Sequence, residues 1–372
     1  MSDARPLDGL RVVHVSTVHR LSDPRIRLKE CRTLVDAGAG VRFIARASPI
    51  EIDDDVDAVA LPKIGSRFDR IVRSQRAAMT LAREFEPDVI HFHDPELLLI
   101  APLLKRLAPV VIYDVHESLP DLVLDRDWIP LWGRKVVGAL CQRLEPLLAR
   151  ACSAYVFVDS RWAPRFAPRP WAEIANPPLC DEFAAIDRSQ PPTPPHFVYI
   201  GELLPERGVH SAVRAVSTYD GDARLTLAGP VADGLAGELR ALDTHDRLSL
   251  PGLVDRATVH ELLTGATAGL VLLEPVPAYD DATATKLFEY LSAGLPMIVS
   301  STTAHRRFAN KHGCAVVTDY DDDHQLREAM AAVAEPERWR QLHEAAESAT
   351  MPTWDADGAP ALLGLYRRVV DD

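Results

Sequence analysis

Paired cysteines are missing. The five cysteines of the 372-residue chain, at positions 31, 141, 152, 180 and 314, form no CxxC pair and keep no regular spacing. That excludes a disulfide framework and a thiolate metal site, and it suggests buried thiols in a reducing compartment. Long apolar runs are missing too. The longest, Leu97 to Leu104, ends at Lys105, whereas a spanning helix needs about 20 residues. The start, MSDARPLDGL, has neither the basic n-region nor the apolar core of a signal peptide. These absences predict a cytoplasmic protein, with the inner membrane surface as the one membrane it could touch. No G-x-S-x-G elbow, P-loop or G-x-G-x-x-G occurs, which moves serine hydrolases, P-loop kinases and typical NAD enzymes down the list. No D-x-D pair follows a strand in the manner of metal-dependent single-domain sugar transferases, and Asp53-Asp54-Asp55 reads as a solvated loop. Positive charge is short in one half. Residues 1–180 carry 25 Lys and Arg against 24 Asp and Glu, while residues 181–372 carry 16 against 30, for a net charge of −13. Such an acidic half argues against nucleic-acid partners.

What is present is ordinary globular material, 47% hydrophobic and 26% charged, enough for two cores. The pattern alternates strand and helix, twice. In the first half, apolar runs predict strands at Arg11–Thr17, Val41–Ala47, Asp88–Asp94, Val110–His116 and Ala154–Asp159. Helical stretches fall near Arg25–Ala37, Phe68–Phe85, Glu96–Leu107 and Leu131–Arg150. The segment Ser189-Gln-Pro-Pro-Thr-Pro-Pro195 is a stiff linker. Beyond it the pattern restarts at Phe197-Val-Tyr-Ile-Gly201, with five more strands to Ala315–Thr318 and a last apolar helical pattern from Trp354 to Val370. Near-continuous apolar strands with helices between them predict parallel sheets covered on both faces. The expected architecture is two doubly wound, Rossmann-like α/β domains facing a cleft. They cover residues 1–180 and 190–352, with a terminal segment at 353–372.

In such sheets ligands bind outside the carboxyl ends of the strands, where the following helices also begin. That rule ranks the polar residues. Lys286 and Glu289 of KLFEYLSAGLP lie in the first two turns of a helix after the strand Ala268–Leu273, with Thr283 as the expected N-cap. They read either as a solvated i, i+3 ion pair or as contacts to a phosphate and a diol. Gly201 ends the domain's first strand, and Arg207 precedes the next helix, either as an anion contact or as a surface side chain. In the first half, DVIHFHDPE ends in His93, Asp94 and Glu96, and VVIYDVHE ends in Asp114, His116 and Glu117. A histidine there can hydrogen-bond a polar substrate or shuttle a proton; the alternatives are a structural histidine or a metal site. The latter has no recognised ligand spacing, so no metal is expected. His91 alternates with His93 and reads as core. The loop Ser16–Ile26 carries Arg20, Asp23 and Arg25, at the edge where a second substrate would meet them, or as an Asp-Pro helix start. The segment Trp128-Ile-Pro-Leu-Trp132-Gly-Arg134-Lys135, with arginines 67, 70, 73 and 76, reads as a membrane-facing surface or as a core helix with a solvated basic side.

Taken together, Gly201…Arg207-Gly208, LTLAG, LPGLV and KLFEYLSAGLPMIVSS resemble the donor-binding domain of family 4 retaining glycosyltransferases of the GT-B fold. The start from Val15 to Arg46, DVIHFHDPELL, YDVHE and IANPP resemble the family's first domain. The resemblance implies that Arg207 and Lys286 hold the donor diphosphate, with Gly201 beside them, and that Glu289 binds the ribose. It implies that Leu253 and Val254 meet the base and that His116 approaches the donor sugar. The last helix would cross back to the first domain. The implied donor is a nucleotide-diphosphate sugar, with a UDP-sugar favoured, and no other cofactor. The implied acceptor is a glycan or a lipid-linked sugar, touched by Asp23, Arg25 and His93. The chain departs from the family in three places. Asp281 stands where the first of two glutamates is usual. Glu202 stands where an arginine is common. The first loop is Asp23-Pro24-Arg25, which resembles a subgroup of surface-polysaccharide transferases. Two other readings are a nucleotide-sugar epimerase of the same fold and an inactive, transferase-like binding protein.

Overall fold

The computed structural model describes residues 5–50, 55–63, 70–124, 130–179, 190–280 and 284–370. The chain divides into two units, Met1–Asn176 with Thr353–Asp372, and Pro177–Pro352. Each is built on one parallel sheet.

In the first unit the strands are β1 (Arg11–Arg20), β2 (Gly40–Arg46), β3 (Asp57–Leu61), β4 (Val89–Phe92), β5 (Val110–Val115), β6 (Ala154–Phe157) and β7 (Trp171–Glu173), in the order β3-β2-β1-β4-β5-β6-β7. In the second unit they are β8 (His196–Ile200), β9 (Arg224–Ala228), β10 (Leu248–Gly252), β11 (Ala268–Val271), β12 (Met297–Ser300) and β13 (Ala315–Thr318), in the order β10-β9-β8-β11-β12-β13. The order reverses between β1 and β4 and again between β8 and β11. These are the topological switch points at which doubly wound sheets bind ligands. Every residue of β4, β5, β6, β11 and β12 is buried, so the strands read as unbroken apolar runs because helices cover both faces.

The sequence runs miss two edge strands. β3 follows the acidic run EIDDD, and β7 has only three residues among prolines. Four helices also fall outside the expected stretches: Leu119–Leu124, Pro277–Asp280, Thr303–His312 and Pro336–Glu347. The helix expected at Arg25–Ala37 begins as a wide, π-type coil over Pro24–Cys31. Asp23 caps it by accepting from the Ile26 amide at 3.0 Å. The wide coil turns Arg25, Lys29 and Glu30 inward, and all three are buried. π-type turns recur at functional sites. The cap expected from Thr283 lies outside the described residues. The helix Thr285–Ser292 is flanked by Ala284, which offers no side-chain cap.

The terminal helix Ala359–Val370 belongs to the first unit, where it buries Leu362, Leu365, Tyr366 and Val369. Trp354 precedes it, buried, with its indole N–H donating to Thr33 Oγ1 at 2.8 Å. Full burial of each such side chain contributes about 1.5–3 kcal/mol. Cys31, Cys152 and Cys314 are buried and Cys141 is half-buried.

Candidate active site

The carboxyl edge of the second sheet is lined by glycines because two backbones meet there. Gly201 has φ 142° and donates its amide to Ala228 O at 2.8 Å; Gly229 has φ 146° and donates to Gly252 O at 2.8 Å. A Cβ on Gly229 would overlap the Gly201 carbonyl, and one on Gly201 would stand 3.0 Å from Lys286 Nζ. Only glycine admits this approach. The Lys286 ammonium lies 3.7 Å from the centre of the Tyr199 ring, a cation–π contact. Tyr199 is fixed by donating its hydroxyl to Glu202 O at 2.9 Å. The site thus uses the backbone of Glu202, whose side chain is exposed. Burial, and then the Arg207 charge, pull Lys286 down to about 7, with Glu289 opposing. Arg207 is set over the Tyr279 ring at 5.3 Å.

Lys286 and Glu289 are not an ion pair. Glu289 Oε1 lies 3.4 Å from Arg256 Nη1 instead. The structure therefore brings Gly201, Arg207, Lys286 and Glu289 together at the β8/β11 switch point. Leu253, 40% exposed, and Val254, packed against the core, follow Gly252 at the end of β10. Asp281 lies outside the described residues.

One group here escapes a sequence reading. Ser300, at the end of β12, accepts from the Leu273 amide at 2.9 Å and lies 3.0 Å from His305 Nδ1. His305 Nε2 is the other ring nitrogen. That atom is buried, with no hydrogen-bond partner among the described residues. Burial takes His305 to about 4, against the Ser300 contact, and the Lys286 charge adds to the effect. It is a neutral imidazole with one unpartnered ring nitrogen, close enough to Lys286 to feel its charge. No periodicity in SSTTAHRRF marks it; only the fold does.

In the first unit the register creates a histidine stack. His14 of β1 pairs with His91 of β4, so the rings share a face, 4.6 Å apart. Two residues on, His93 lies level with Asp114, because Phe92 pairs with Tyr113. A chain of contacts follows. His116 Nε2 lies 3.1 Å from both Asp114 Oδ2 and His93 Nδ1. His93 Nε2 lies 3.0 Å from His14 Nδ1. The Tyr366 hydroxyl joins His14 Nε2 at 3.3 Å and His91 Nδ1 at 3.0 Å. Arg25 donates from Nη2 to both Asp114 oxygens at 3.1–3.2 Å and from Nη1 to Ile174 O at 2.9 Å. Its Nε stands 3.0 Å from Glu30 Oε1 without hydrogen-bond alignment, and both Glu30 oxygens lack a hydrogen bond.

Two carboxylates and one guanidinium thus share a dry site, and they divide the charge. Burial would raise Asp114, but Arg25 and then His116 override it and hold Asp114 well below the carboxylate range. Burial and the Asp114 charge push Glu30 well above that range, against Arg25. The two carboxyls are thus pushed in opposite directions, Asp114 toward the ionised form and Glu30 toward the neutral one. Burial keeps His14 and His91 far below the usual imidazole value and takes His93 to about 4, although Asp114 opposes it. Glu30, His91, His93 and Asp114 each offer a donor atom within 4.8 Å of one another, a donor set that suits a divalent ion in type. Arg25 already fills the cationic place, with Asp114 saturated by its bonds to Arg25 and His116.

Of the residues expected to meet an acceptor, Arg25 and His93 are therefore interior groups. The wide coil and the buried strand end turn them inward, where they hold Asp114 and His116. His91, read as core, is a network member. Asp23, 20% exposed at its side chain, is tied to His19 Nδ1 at 2.8 Å. His116 reaches the surface, with 16% of its side chain exposed. Asp94 secures the second half of β1, accepting from Ser16 Oγ and Thr17 Oγ1 at 3.0 and 3.1 Å.

The two sheets, with switch-point sites at their carboxyl edges, are a GT-B architecture. Residues 28–168 match Glycosyltransferase Family 4, and residues 182–349 match Glycosyl transferases group 1. The chain belongs to the glycosyltransferases of the GT-B fold. No curated protein sequence matches it significantly. Among solved structures, sucrose-phosphate synthase from Thermosynechococcus elongatus is similar at 15% identity and TM-score 0.70, over 97% of this chain and 99% of that one. WaaG, a glycosyltransferase involved in lipopolysaccharide biosynthesis, gives 13% and 0.67, over 97% and 99%. Anabaena HepE, in complex with UDP and glucose, gives 11% and 0.64, over 97% and 98%. At these identities the likeness is one of fold.

Proposed function

We propose that this glycosyltransferase is a retaining, metal-independent enzyme of the surface-polysaccharide type. It moves a hexosyl group from a nucleotide-diphosphate sugar, with a UDP-sugar favoured, to a glycan or lipid-linked acceptor in the cytoplasm. The observation that carries this reading is the Lys286 ammonium, held on Tyr199 against Gly201, with Arg207 and Glu289 at the same sheet edge. Two cations beside helix starts suit a diphosphate whose charge grows as the glycosidic bond breaks. The binding of UDP and of UDP-glucose by HepE supports the choice of base. In the proposed reaction the acceptor oxygen bonds to the anomeric carbon on the face the diphosphate leaves, and its proton passes to that diphosphate. No enzymic nucleophile is needed. His116, held by Asp114 and His93, is the proposed partner of a sugar hydroxyl, and Asp281 the second carboxylate for the sugar. Calorimetric titration with UDP, GDP and ADP tests the donor reading. UDP should bind with or without a chelator, and failure of all three to bind would overturn the proposal. NMR of the product should show a retained anomeric configuration.

The state of Lys286 gives this binding a pH signature. With its pKa at about 7 in the free protein, the amine is mostly neutral above that value. A bound diphosphate restores the charge and raises the pKa. Binding should therefore take up a proton above pH 7, and affinity should fall by up to about tenfold per pH unit from about pH 7 to about 9. Calorimetry in two buffers of different ionisation enthalpy measures the uptake. An uptake near zero throughout that window would contradict the assignment.

A further inference from the structure

Strand β1 leaves its ladder before it ends. Val15 pairs with Ile44 and Arg20 with Arg46, so the stretch from Val15 to Arg20 faces only the stretch from Ile44 to Arg46 on β2. Ser16–His19 therefore swing out at the carboxyl edge of the sheet. Bulges re-aim side chains and recur beside active sites. This one is firmly held. The Ser16 hydroxyl donates to Asp94 Oδ2 at 3.0 Å and accepts from the His19 amide at 2.8 Å and the Val18 amide at 3.2 Å. Arg46 Nη1 closes the far side by donating to Val18 O at 3.3 Å. What the bulge presents is His19.

His19 repeats the arrangement of His116. Its Nδ1 lies 2.8 Å from Asp23 Oδ2, as His116 Nε2 lies 3.1 Å from Asp114 Oδ2. Burial would raise Asp23, but the hydrogen bond and charge of His19, with the Ile26 amide, hold it at about 2. A carboxylate only accepts, so His19 Nδ1 carries a proton and Nε2 is the outer nitrogen. Nε2 stands 4.0 Å from Asp94 Oδ1, beyond hydrogen-bond reach. Among the described residues, neither His19 Nε2 nor His116 Nδ1 has a hydrogen-bond partner. The two rings are neighbours, 5.2 Å between centres and inclined at 53°. The His19 side chain is 29% exposed and that of His116 16%. Each imidazole thus has one nitrogen fixed by a carboxylate and one left over, at a spacing that neighbouring hydroxyls of one sugar ring can bridge.

Charge says which ligand fits. Asp23, Asp94 and Asp114 surround the two rings, and the Arg25 guanidinium is already spent on Asp114. A phosphate or carboxylate would be repelled. A hydroxyl would not. It both donates and accepts, so it matches an imidazole nitrogen in either protonation state. We propose that His19 is a sugar-binding residue, forming with His116 a two-point site for neighbouring hydroxyls of one sugar ring. This rests on the role given to His116 above and extends it to His19 and the bulge that carries it. The sugar comes from the donor or from the acceptor, and separate probes distinguish these sources.

The test is NMR of the full chain carrying ring-15N histidine, with the His19 signals assigned from His19→Gln. Methyl α-glucoside, methyl α-galactoside and methyl α-mannoside probe an acceptor sugar. UDP-glucose, read against UDP, probes the transferred one. At least one of these should move the ring signals of His19 and His116 together and leave those of buried His14 and His91 in place. His19→Phe keeps a ring beside His116 and removes both nitrogens. It should lower affinity for the responding sugar roughly tenfold or more. UDP affinity should stay as in the parent, because the proposed diphosphate contacts are residues of the second unit. His19→Gln, which still donates and accepts, should recover part of the loss. Movement of His116 without His19, silence of both with every probe, or equal sugar affinity in parent and His19→Phe would overturn the proposal. The parent spectra decide alone where His19→Phe does not fold. If UDP does not bind, the donor reading falls, while the glycosides still read this site.

Discussion

Lys286→Met should weaken UDP binding about tenfold to a hundredfold. The thioether keeps the apolar stem against Tyr199 and removes only the ammonium. The loss is then one charge-assisted contact to a phosphate in a half-buried site, typically about 1.5–3 kcal/mol. Lys286→Ala should be at least as damaging. Lys286→Arg should not restore affinity, because the Gly201 backbone is packed against the ammonium, and a planar guanidinium needs the space that the missing Cβ leaves. Glu289→Ala should cost a smaller but clear factor, since its carboxylate is the proposed acceptor for the ribose diol. Arg256→Ala, which strips Glu289 of its neighbour at 3.4 Å, separates the two effects. It should leave the diphosphate contacts alone and shift only the dependence on the ribose. Titration with UDP and with pyrophosphate reads the difference. Unchanged UDP affinity in both the Lys286 and the Glu289 variants would sink the ligand reading.

Much of this site was legible in the sequence because chain order and a simple rule suffice. A strand followed by a helix puts the first turns of that helix at the carboxyl edge, so Lys286, Glu289 and Arg207 could be placed without coordinates. The same rule failed for Arg25 and His93. It locates a residue at an edge but not the direction of its side chain. A wide coil after Pro24 and a strand buried on both faces decide that direction. Nor could it see that His14, His91 and Tyr366 meet, because their contact depends on the β1/β4 register and on the return of the terminal helix from 275 residues away. His305 is hidden for a similar reason, since its partner Ser300 is near in sequence but its unpartnered ring nitrogen is defined by burial.

The charge sharing around Arg25 sets up a test that pairwise thinking would get wrong. Glu30→Gln should change stability little, within about 1 kcal/mol, because the site pushes this carboxyl toward the neutral form that glutamine mimics, and its oxygens have no well-aligned hydrogen bond to lose. Asp114→Asn removes the anion that balances Arg25. In that variant Glu30 no longer faces a neighbouring negative charge, so its pKa should fall and it should ionise beside Arg25 Nε, 3.0 Å away, recovering part of the loss. The double variant has no such recourse. Arg25 is left buried and charged without its two nearest carboxylates, a state that typically costs about 3–5 kcal/mol. The double loss should thus exceed the sum of the single losses by about 1–3 kcal/mol. In calorimetry this should lower the melting transition of the first unit by roughly 10 °C. The pH dependence has a definite sign. Asp114 is held below its unfolded value, so its contribution is present above the unfolded pKa of about 4 and is lost as pH falls through the folded value. Glu30 is held above its unfolded value, so it contributes fully at low pH and loses that contribution as pH rises toward the folded pKa. In Asp114→Asn the Glu30 shift should reverse. The acid side of the stability profile should then persist in Asp114→Asn and vanish in the double variant. Additive losses, or an identical acid limb in both variants, would show that Glu30 does not stand in for Asp114. The buried cation of this site would then be balanced in some other way.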